Sequence, residues 1–477
     1  MQSKALGKNL VMVAFSRLVS LVSSVFAGFL LPKMFNVTDY GFYKVFTLYA
    51  VYTALLHFGF VDGILLKMAG KDYRELELPR MRTYTRFFVI FETIISGIMI
   101  IVGIIFASGD YLFIVFMLAI NMVFVNLTTY YQFVSQAVQR FGEYSAKSLI
   151  ISVVKILFVS GLFVLYFYNI AEVSYKIYLI GLNILDLSIL LWYVYIYRDI
   201  TFGKGERVRT LKKEIVSIFK TGIVLTLAYQ VTHLVLALDR QFVNILFSTE
   251  TFAFYSFAYN IVSLISTMIS SLSVVLLPML RKSAKEVIVE SYRTSTVTVA
   301  VTSSAGLLCY FPLAAFIMWF LPNYNGSLEY ITIVLPAFLF TSVITVVMFT
   351  IAKVLDISFD FFKDSCAVLV LGFLANAVAY GFCRSPKSIS YASFIVAAIW
   401  YIIADVRLRK KTKVIMYKEF IYLLVISLGF LIVTNFIDGI IMGFVAYGVW
   451  LIMWTTIFYF AMLKQFFSTV VKKLVHH

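Results

Sequence analysis

The chain has 477 residues, of which 62% are hydrophobic and only 13% are charged, and its mean hydropathy is +0.94. A water-soluble protein of this length needs far more polar surface to cover its core. The composition therefore excludes a soluble fold. The net charge of +16 does not indicate a nucleic-acid partner, because the basic residues recur between apolar segments, as they do in membrane proteins.

Apolar runs of about 20 residues recur along the whole chain, long enough to cross a bilayer as helices. They do not alternate, so a barrel of transmembrane strands is not favoured. The sequence predicts an all-α integral membrane fold with about 14 transmembrane helices. The predicted helices lie at roughly 9–32, 41–66, 86–107, 111–138, 148–168, 173–197, 215–238, 252–280, 294–320, 329–352, 363–383, 389–406, 419–437 and 440–463.

The distribution of Lys and Arg residues between inner and outer segments tests this topology. If the N-terminus is cytoplasmic, 31 of the 40 Lys and Arg residues fall in inner segments, 6 in outer segments and 3 within helices. Cytoplasmic loops carry such an excess of positive charge. The first apolar run follows Lys4 and Lys8, is too long for a signal peptide and has no cleavage site after it. We expect it to remain as the first helix, with both termini in the cytoplasm.

The connections between the predicted helices leave no room for a soluble domain. The longest outer connection is predicted at roughly residues 239–251. The chain contains no Walker motif, no Gly-rich phosphate loop and no HExxH. Its three cysteines form no CxxC or Cys/His cluster, which does not favour disulfide or zinc roles. We expect no cofactor.

Two junctions between predicted helices repeat at an offset of 212 residues. Aromatic residues coincide at this offset in the pairs Phe35/Phe247, Phe42/Phe254 and Tyr43/Tyr255. Gly41 meets Ala253. Six predicted helices separate the copies, so the two halves would have the same orientation, as in the parallel repeats of some transporters. Chance coincidence in a chain rich in Phe and Tyr is the alternative.

The same junctions carry a family resemblance. The segment Leu31-Pro32-Lys33-Met34-Phe35-Asn36-Val37-Thr38-Asp39-Tyr40-Gly41-Phe42-Tyr43 resembles the link L-P-x-x-(hydrophobic)-x-x-x-(Asp/Glu)-(Tyr/Phe)-G-x-Y of the multidrug/oligosaccharidyl-lipid/polysaccharide exporter superfamily. Further similar segments are His57-Phe58-Gly59-Phe60 with Lys67, Asp239-Arg240 with Tyr255-Ser256-Phe257-Ala258-Tyr259, and Leu277-Pro278. The branch that flips lipid-linked polysaccharide repeat units, as O-antigen flippases do, fits best.

The resemblance implies two pseudo-symmetric six-helix lobes around a central cavity, working by alternating access. Residues 1–200 would form the N-lobe, 201–406 the C-lobe, and 407–477 an extra helix pair and a cytoplasmic tail. The implied location is the bacterial cytoplasmic (inner) membrane. The implied substrate is a polyprenyl-pyrophosphate-linked oligosaccharide, moved from the cytoplasmic to the outer leaflet for O-antigen-like polysaccharide biosynthesis. Membrane lipids, and the polysaccharide polymerase and chain-length machinery, are further candidate partners.

Two features depart from the family pattern. Many O-antigen flippases have twelve helices, and the extra pair is closer to the flippases of lipid-linked peptidoglycan precursors and teichoic acids. Lys67 stands where the family has an Arg at the end of helix two. Because Lys cannot make the bidentate phosphate contact of Arg, that role is not carried over to this position.

Three of the charged residues inside predicted helices each share one face of their helix with small or polar residues. The stripes are Arg17 with Ser20, Ser24 and Gly28; Glu92 with Ser96 and Gly103; and Lys155 with Ser148 and Ser152. A charge at the bilayer centre costs about 2.5–3.5 kcal/mol, so such residues are functional hypotheses. We predict that all three lie in one layer and line a cationic cavity for the pyrophosphate head. Snorkelling of the basic side chains is the alternative, and Glu92 is either a counter-ion or a proton site.

The seventh predicted helix carries a polar stripe of Gly222, Thr226 and Gln230, and we place Gln230 among the cavity residues. His233 continues the stripe and is either a coupling residue or a satisfied polar contact. Lys220 lies off the stripe and is expected to snorkel. The inside-negative membrane potential favours outward movement of an anion by about 2.3 kcal/mol per charge per 100 mV. Coupling to this potential, or to H+ or Na+ through Glu92 or His233, stays open.

Asp62, beside Gly63, is predicted at the membrane interface, and Asp239 and Arg240 are predicted to pair at an outer junction.

Three functions other than a flippase are alternatives. A drug or cation antiporter of the same superfamily predicts mainly acidic residues in the lobes. A membrane polysaccharide polymerase or ligase predicts a long outer loop with clustered Arg and His. A non-transporting scaffold would leave the intramembrane charges without a purpose.

Overall fold

A computed structural model describes the backbone of residues 2–280 and 285–475. Within these it describes the side chains of residues 15–140, 142–143, 145–228, 230–267, 269 and 286–460. In this part of the chain every regular element is a helix, which confirms the predicted all-α fold. The α-helices are α1 (Gln2–Met34), α2 (Val37–Thr53), α3 (Phe60–Met68), α4 (Leu78–Phe106), α5 (Gly109–Ala137), α6 (Phe141–Phe167), α7 (Tyr175–Ile196), α8 (Arg198–Thr201), α9 (Val208–Leu246), α10 (Thr249–Leu280), α11 (Lys285–Gly306), α12 (Tyr310–Phe320), α13 (Leu328–Val343), α14 (Phe349–Val354), α15 (Ser358–Cys383), α16 (Pro386–Thr412), α17 (Tyr417–Phe436) and α18 (Ile440–Val475).

Among the described residues, eleven helical segments are long and apolar enough to cross a membrane. A twelfth is reached if the two halves of α9, Val208–Ala228 and Gln230–Leu246, count as one bent span. The chain is therefore a multi-pass membrane protein. The expected number of about 14 spans stays a prediction.

The second predicted helix, residues 41–66, is not continuous. Helix α2 ends at Thr53 and α3 begins at Phe60, with an irregular turn between them. Phe58 and Gly59 have φ angles of 47° and 85° in that turn, a left-handed conformation that interrupts the helical hydrogen bonds. Apolar periodicity alone did not reveal this break, because the residues on both sides of it are apolar.

The predicted outer connection at residues 239–251 is also wrong. Helix α9 continues through Asp239 and Arg240 to Leu246, and only Phe247 and Ser248 separate it from α10. Asp239 is 3% exposed, because the helix carries it into the protein interior. The polar pair was interpreted as a loop, although the Asp239 carboxylate accepts its hydrogen bonds from residues of α9 and α10.

The two junctions that repeat in sequence also repeat in backbone geometry. The amide of Phe35 bonds the carbonyl of Leu31, and the amide of Phe247 bonds that of Val243. The hydrogen bonds that cap the following helices are also equivalent. Asp39 N donates to Asn36 Oδ1 at 2.7 Å at the start of α2, and Thr251 N donates to Ser248 Oγ at 3.2 Å at the start of α10. Each pair of bonds is separated by 212 residues. Both junctions are thus a two-residue turn closed by a polar N-cap.

The chain forms two compact units, one of residues 1–237 and 248–253 and the other of 238–247 and 254–477. The first unit has a core of apolar and Tyr side chains from α3, α4, α5, α7 and the first half of α9. In it α1 packs mainly against α6, and α4 against α5. In the second unit α13 is central and packs against α11, α16 and α17, and α17 packs against α18. The lobe boundaries at residues 200 and 406 stay predictions.

Candidate functional site

A polar cluster lies between α5, α6 and α7 in the first unit. Asn121 Nδ2 donates to Asp186 Oδ2 at 2.7 Å, and Lys147 Nζ donates to Gln132 Oε1 at 2.6 Å. The Asp186 carboxylate also interacts electrostatically with Lys147 and Lys155. We call these five residues the Asp186 cluster. Asp186 was not among the predicted site residues, although an acidic residue inside the apolar run of α7 was a signal for it.

Two of the predicted cavity residues lie on neighbouring helices. Arg17 is on α1, Lys155 is on α6, and these two helices pack against each other. Arg17 is exposed and Lys155 is half-buried. Among the described side chains, no hydrogen bond or ion pair joins Arg17, Glu92 and Lys155 to one another. Their common role in a cavity stays a prediction.

Glu92 has different partners from the basic residues. It is 0% exposed, and its Oε2 accepts a hydrogen bond from Asn126 Nδ2 at 3.0 Å. The same Asn126 nitrogen lies 3.4 Å from the carbonyl oxygen of Thr53, the last residue of α2. Glu92 Oε1 has no partner among the described residues. A buried carboxyl without a basic partner favours its neutral form or a bound cation.

Helices α3 and α9 cross with their backbones in contact. A methyl group on Gly222 would overlap the carbonyl of Gly59, and a methyl group on Gly63 would overlap the carbonyl of Ile218. Gly59 and Gly63 are four residues apart on one face of α3, a spacing that allows helices in membranes to approach closely. We call residues 57–68 and 214–226 the α3–α9 crossing.

Three polar residues lie within this crossing. Thr226 Oγ1 donates to Asp62 Oδ2, and it also lies 3.1 Å from the carbonyl oxygen of Gly222. His57 Nδ1 accepts the Gly59 amide at 3.1 Å, and His57 Nε2 lies 3.9 Å from Asp62 Oδ2. The side chains of His57 and Asp62 are only 8% and 15% exposed. The sequence predicted Asp62 at the membrane interface and did not connect it with His57 or Thr226.

An ion pair lies at one end of the crossing. Lys67 Nζ bonds Glu214 Oε2, and the Tyr84 hydroxyl lies 2.8 Å from Lys67 Nζ and 2.6 Å from Glu214 Oε2. Lys67 is the residue that replaces the family's Arg at the end of helix two. Its ammonium group is occupied by Glu214, so a phosphate at this position would have to displace a carboxylate.

Of the predicted residues of the seventh helix, Lys220 lies within this crossing, and Gln230 and His233 lie in α9 beyond it. Gln230 is half-buried, whereas His233 and Lys220 are exposed. The expected snorkelling of Lys220 stays a prediction. The binding role of Gln230 and the coupling role of His233 stay predictions.

In the second unit, Asp239 is held by aromatic hydroxyl groups. Tyr255 donates to Asp239 Oδ2 at 2.8 Å, Tyr259 donates to the same oxygen, and the Arg240 amide bonds Asp239 Oδ1 at 2.7 Å. The Arg240 guanidinium lies 4.9 Å from the centre of the Tyr259 ring. The family-like motif therefore builds one local network. Leu277 and Pro278 lie outside the described side chains.

Comparisons with solved structures identify the fold. The chain is similar to the lipid II flippase MurJ in an inward closed conformation, with a TM-score of 0.69, 12% identity, and coverage of 95% of this chain and 99% of that one. It is also similar to a point mutant of the Vibrio cholerae MATE transporter VcmN, with a TM-score of 0.55, 13% identity, and coverage of 86% and 98%. No family model and no curated protein matches the sequence.

These similarities establish the fold as that of flippases and transporters. Both structures belong to the superfamily that the junction motifs resemble. At such low identity the comparison concerns the backbone and assigns no residue role. Membership of the superfamily, and of its O-antigen branch, stays a prediction.

Proposed function

We propose that the protein is a flippase that moves a polyprenyl-pyrophosphate-linked oligosaccharide from the cytoplasmic to the outer leaflet by alternating access, for cell-surface polysaccharide biosynthesis. The observation that carries this proposal is the structural similarity to the lipid II flippase, which extends over 95% of this chain. Lipid II is itself a lipid-linked substrate. Its polar head must pass through hydrocarbon while its tail stays in lipid, and the same physical problem defines the substrate proposed here.

The charges of the first unit support an anionic head group. Arg17, Lys147 and Lys155 lie on the packed helices α1 and α6, and Asp186 is the acidic residue that interacts with two of them. Asp186, which lies on α7, can balance only one of these three cations, so the four residues together keep an excess of positive charge. A pyrophosphate can take up such an excess through charge-assisted hydrogen bonds. Arg17 and Lys155 are the residues that we propose to contact it.

A second candidate is a drug or cation antiporter. It is favoured by the similarity to the MATE transporter and by Glu92, which is buried without a basic partner in the described structure. The lower TM-score of 0.55 and the smaller coverage of 86% make it the weaker candidate. A membrane polymerase or ligase has no support among these structural neighbours, which are transporters.

The test is flipping of a fluorescent polyprenyl-pyrophosphate oligosaccharide in proteoliposomes. We expect wild-type protein to flip this lipid, and we expect Arg17→Ala and Lys155→Ala to reduce the rate at least about tenfold, the effect of losing roughly 1.4 kcal/mol of binding. Lys220→Ala is the matched control, since it removes an exposed cation from α9. It should flip at the wild-type rate.

The assay also separates the two candidates. Wild-type protein that flips none of several polyprenyl-pyrophosphate lipids, but takes up an organic cation, would refute the flippase proposal and favour the antiporter. Equal losses in Lys220→Ala and Lys155→Ala would refute a specific head-group site on α1 and α6.

A further inference from the structure

The α3–α9 crossing contains a carboxyl group whose charge has little to balance it. Asp62 is 15% exposed and lies in the first turn of α3. Its hydrogen-bond donors are its own backbone amide and the Thr226 hydroxyl, both of them neutral. The nearest ionisable side chain is His57. Because His57 Nδ1 accepts the Gly59 amide, that nitrogen carries no proton, and the imidazole is in its neutral form with its proton on Nε2.

The other ionisable groups around the crossing are already engaged or exposed. They include Lys67, Arg80, Tyr84, Glu92, Tyr130, Glu214 and Lys220. Lys67, Glu214 and Tyr84 bond one another. Glu92 bonds Asn126, and Tyr130 bonds Thr85 at 3.0 Å. Lys220 is exposed on α9. In the described structure, none of these groups forms an ion pair with Asp62.

The crossing cannot hold an ionised Asp62 without cost. A buried carboxylate that lacks a cation is destabilised by loss of its hydration. The backbones of Gly59, Gly63 and Gly222 touch at this point. The charge can therefore be relieved either by a proton or by separation of α3 from α9, which admits water.

The Thr226 hydroxyl can serve both states of the carboxyl group. It lies within hydrogen-bond distance of Asp62 Oδ2 and of the Gly222 carbonyl oxygen. When Asp62 is ionised, the hydroxyl donates to it. When Asp62 is protonated, the carboxyl can donate to Thr226, and the hydroxyl can donate to Gly222.

We propose that Asp62 is a proton-binding residue whose protonation keeps α3 packed against α9, with Thr226 as the hydroxyl that changes partner and His57 as a positioning residue. The packed state then binds one proton more than the separated state. Packing is complete at low pH and is lost as the pH rises. The use of this site to couple transport to a proton gradient rests on the function proposed above, whereas the site itself rests on these contacts.

Hydrogen–deuterium exchange of the full-length protein in nanodiscs tests the site without any substrate. The measured quantity is exchange in peptides covering residues 59–68 and 214–226 across a pH series, divided at each pH by the rate in Asp62→Asn. The variant mimics the protonated carboxyl, so the ratio cancels the intrinsic pH dependence of amide exchange. We expect the ratio to rise with pH by up to about tenfold per pH unit, the slope for one linked proton. A ratio that is flat with pH overturns the proposal.

Two further variants give the test its controls. Thr226→Val is nearly isosteric and removes the donor to the ionised carboxylate, so the exchange ratio should go on rising to a higher pH than in wild type; a rise that ends at the wild-type pH would contradict the role of Thr226. Asp186→Asn changes a half-buried carboxyl that also accepts a side-chain hydrogen bond, from Asn121, away from the crossing. It should keep the wild-type slope, and loss of the slope in this variant would refute the assignment to Asp62. Loss of flipping without any change in the exchange ratio would concern the proposed function alone.

Discussion

Gly59 and Gly222 meet backbone to backbone, so neither position has room for a side chain. Gly59 ends the irregular turn between α2 and α3 with a φ of 85°, and Gly222 lies on α9, which the contact brings against the start of α3. The two glycines thus fix where the interrupted second helix meets α9. The polar residues His57, Asp62 and Thr226 lie together because of this close approach.

Gly222→Ala should destabilise the protein by about 1–3 kcal/mol, the usual cost of inserting a methyl group into a closely packed contact. The added methyl group would overlap Gly59 and force α9 away from α3. The measurement is thermal unfolding in detergent, where we expect a lower melting temperature. Gly97→Ala on α4 is the control, because no heavy atom lies within 4 Å of the added carbon. Equal melting temperatures for the two variants would contradict the close contact.

Lys67 and Glu214 should behave as a coupled pair. Their side chains are 32% and 36% exposed, so the pair contributes only about 0.2–1 kcal/mol to stability. We expect Lys67→Glu and Glu214→Lys each to lower stability, because like charges then meet. The double reversal should restore only part of the loss, because Arg80 Nη1 lies 3.8 Å from Glu214 Oε1 and would repel a Lys there. A double-mutant cycle of unfolding free energies measures the coupling. Additive losses in the double variant would show that the ion pair does not contribute.

The sequence predicted the elements that repeat regularly and missed those that depend on tertiary contact. Apolar runs located most spans, because a helix in lipid must be apolar along its length. The break at residues 54–59 was missed, since the contact of Gly59 with α9 that accompanies it is not visible in the sequence. The continuation of α9 beyond Asp239 was missed because Tyr255 and Tyr259, on the next helix, satisfy that carboxyl group.

For the candidate site, the sequence identified charged residues but not the residues that they contact. Arg17, Glu92 and Lys155 were identified as charges within apolar helices, which needs only the sequence. The partners of Glu92 and Lys155 were not predicted, because Asn126 and Asp186 lie on the following helix in each case, and their contacts depend on how the two helices pack. Lys67 was identified through the family motif, but its bond to Glu214 depends on the crossing of α3 with α9.

Asp186→Ala should destabilise the first unit by about 1–3 kcal/mol, since Asn121 loses its acceptor and Lys147 and Lys155 lose their counter-charge. Replacing Lys155 by Met in the same protein should recover part of this loss, because the uncompensated cation is then removed. Unfolding free energies of the two single variants and the double variant test the coupling. A double variant less stable than Asp186→Ala would show that Lys155 is not held by Asp186.

Glu92→Gln should leave stability nearly unchanged, whereas Glu92→Ala should lower it by about 1–3 kcal/mol. Gln keeps the shape of the side chain and an oxygen that accepts the Asn126 bond, and no basic residue in the described structure depends on the charge of Glu92. Ala would leave Asn126 without that acceptor. Thermal unfolding of the two variants beside wild type measures the difference.

Glu92→Gln also tests which acidic residue, Asp62 or Glu92, couples transport to protons. If Asp62 binds the coupling proton, Glu92→Gln and His233→Gln should keep the acceleration of flipping by a pH gradient, whereas Asp62→Asn should lose it while still flipping under a membrane potential. Proteoliposomes with a pH gradient alone, or with a potassium diffusion potential alone, distinguish the two driving forces. Loss of the pH response in Glu92→Gln and its retention in Asp62→Asn would move the coupling site from the α3–α9 crossing to the buried carboxyl beside Asn126.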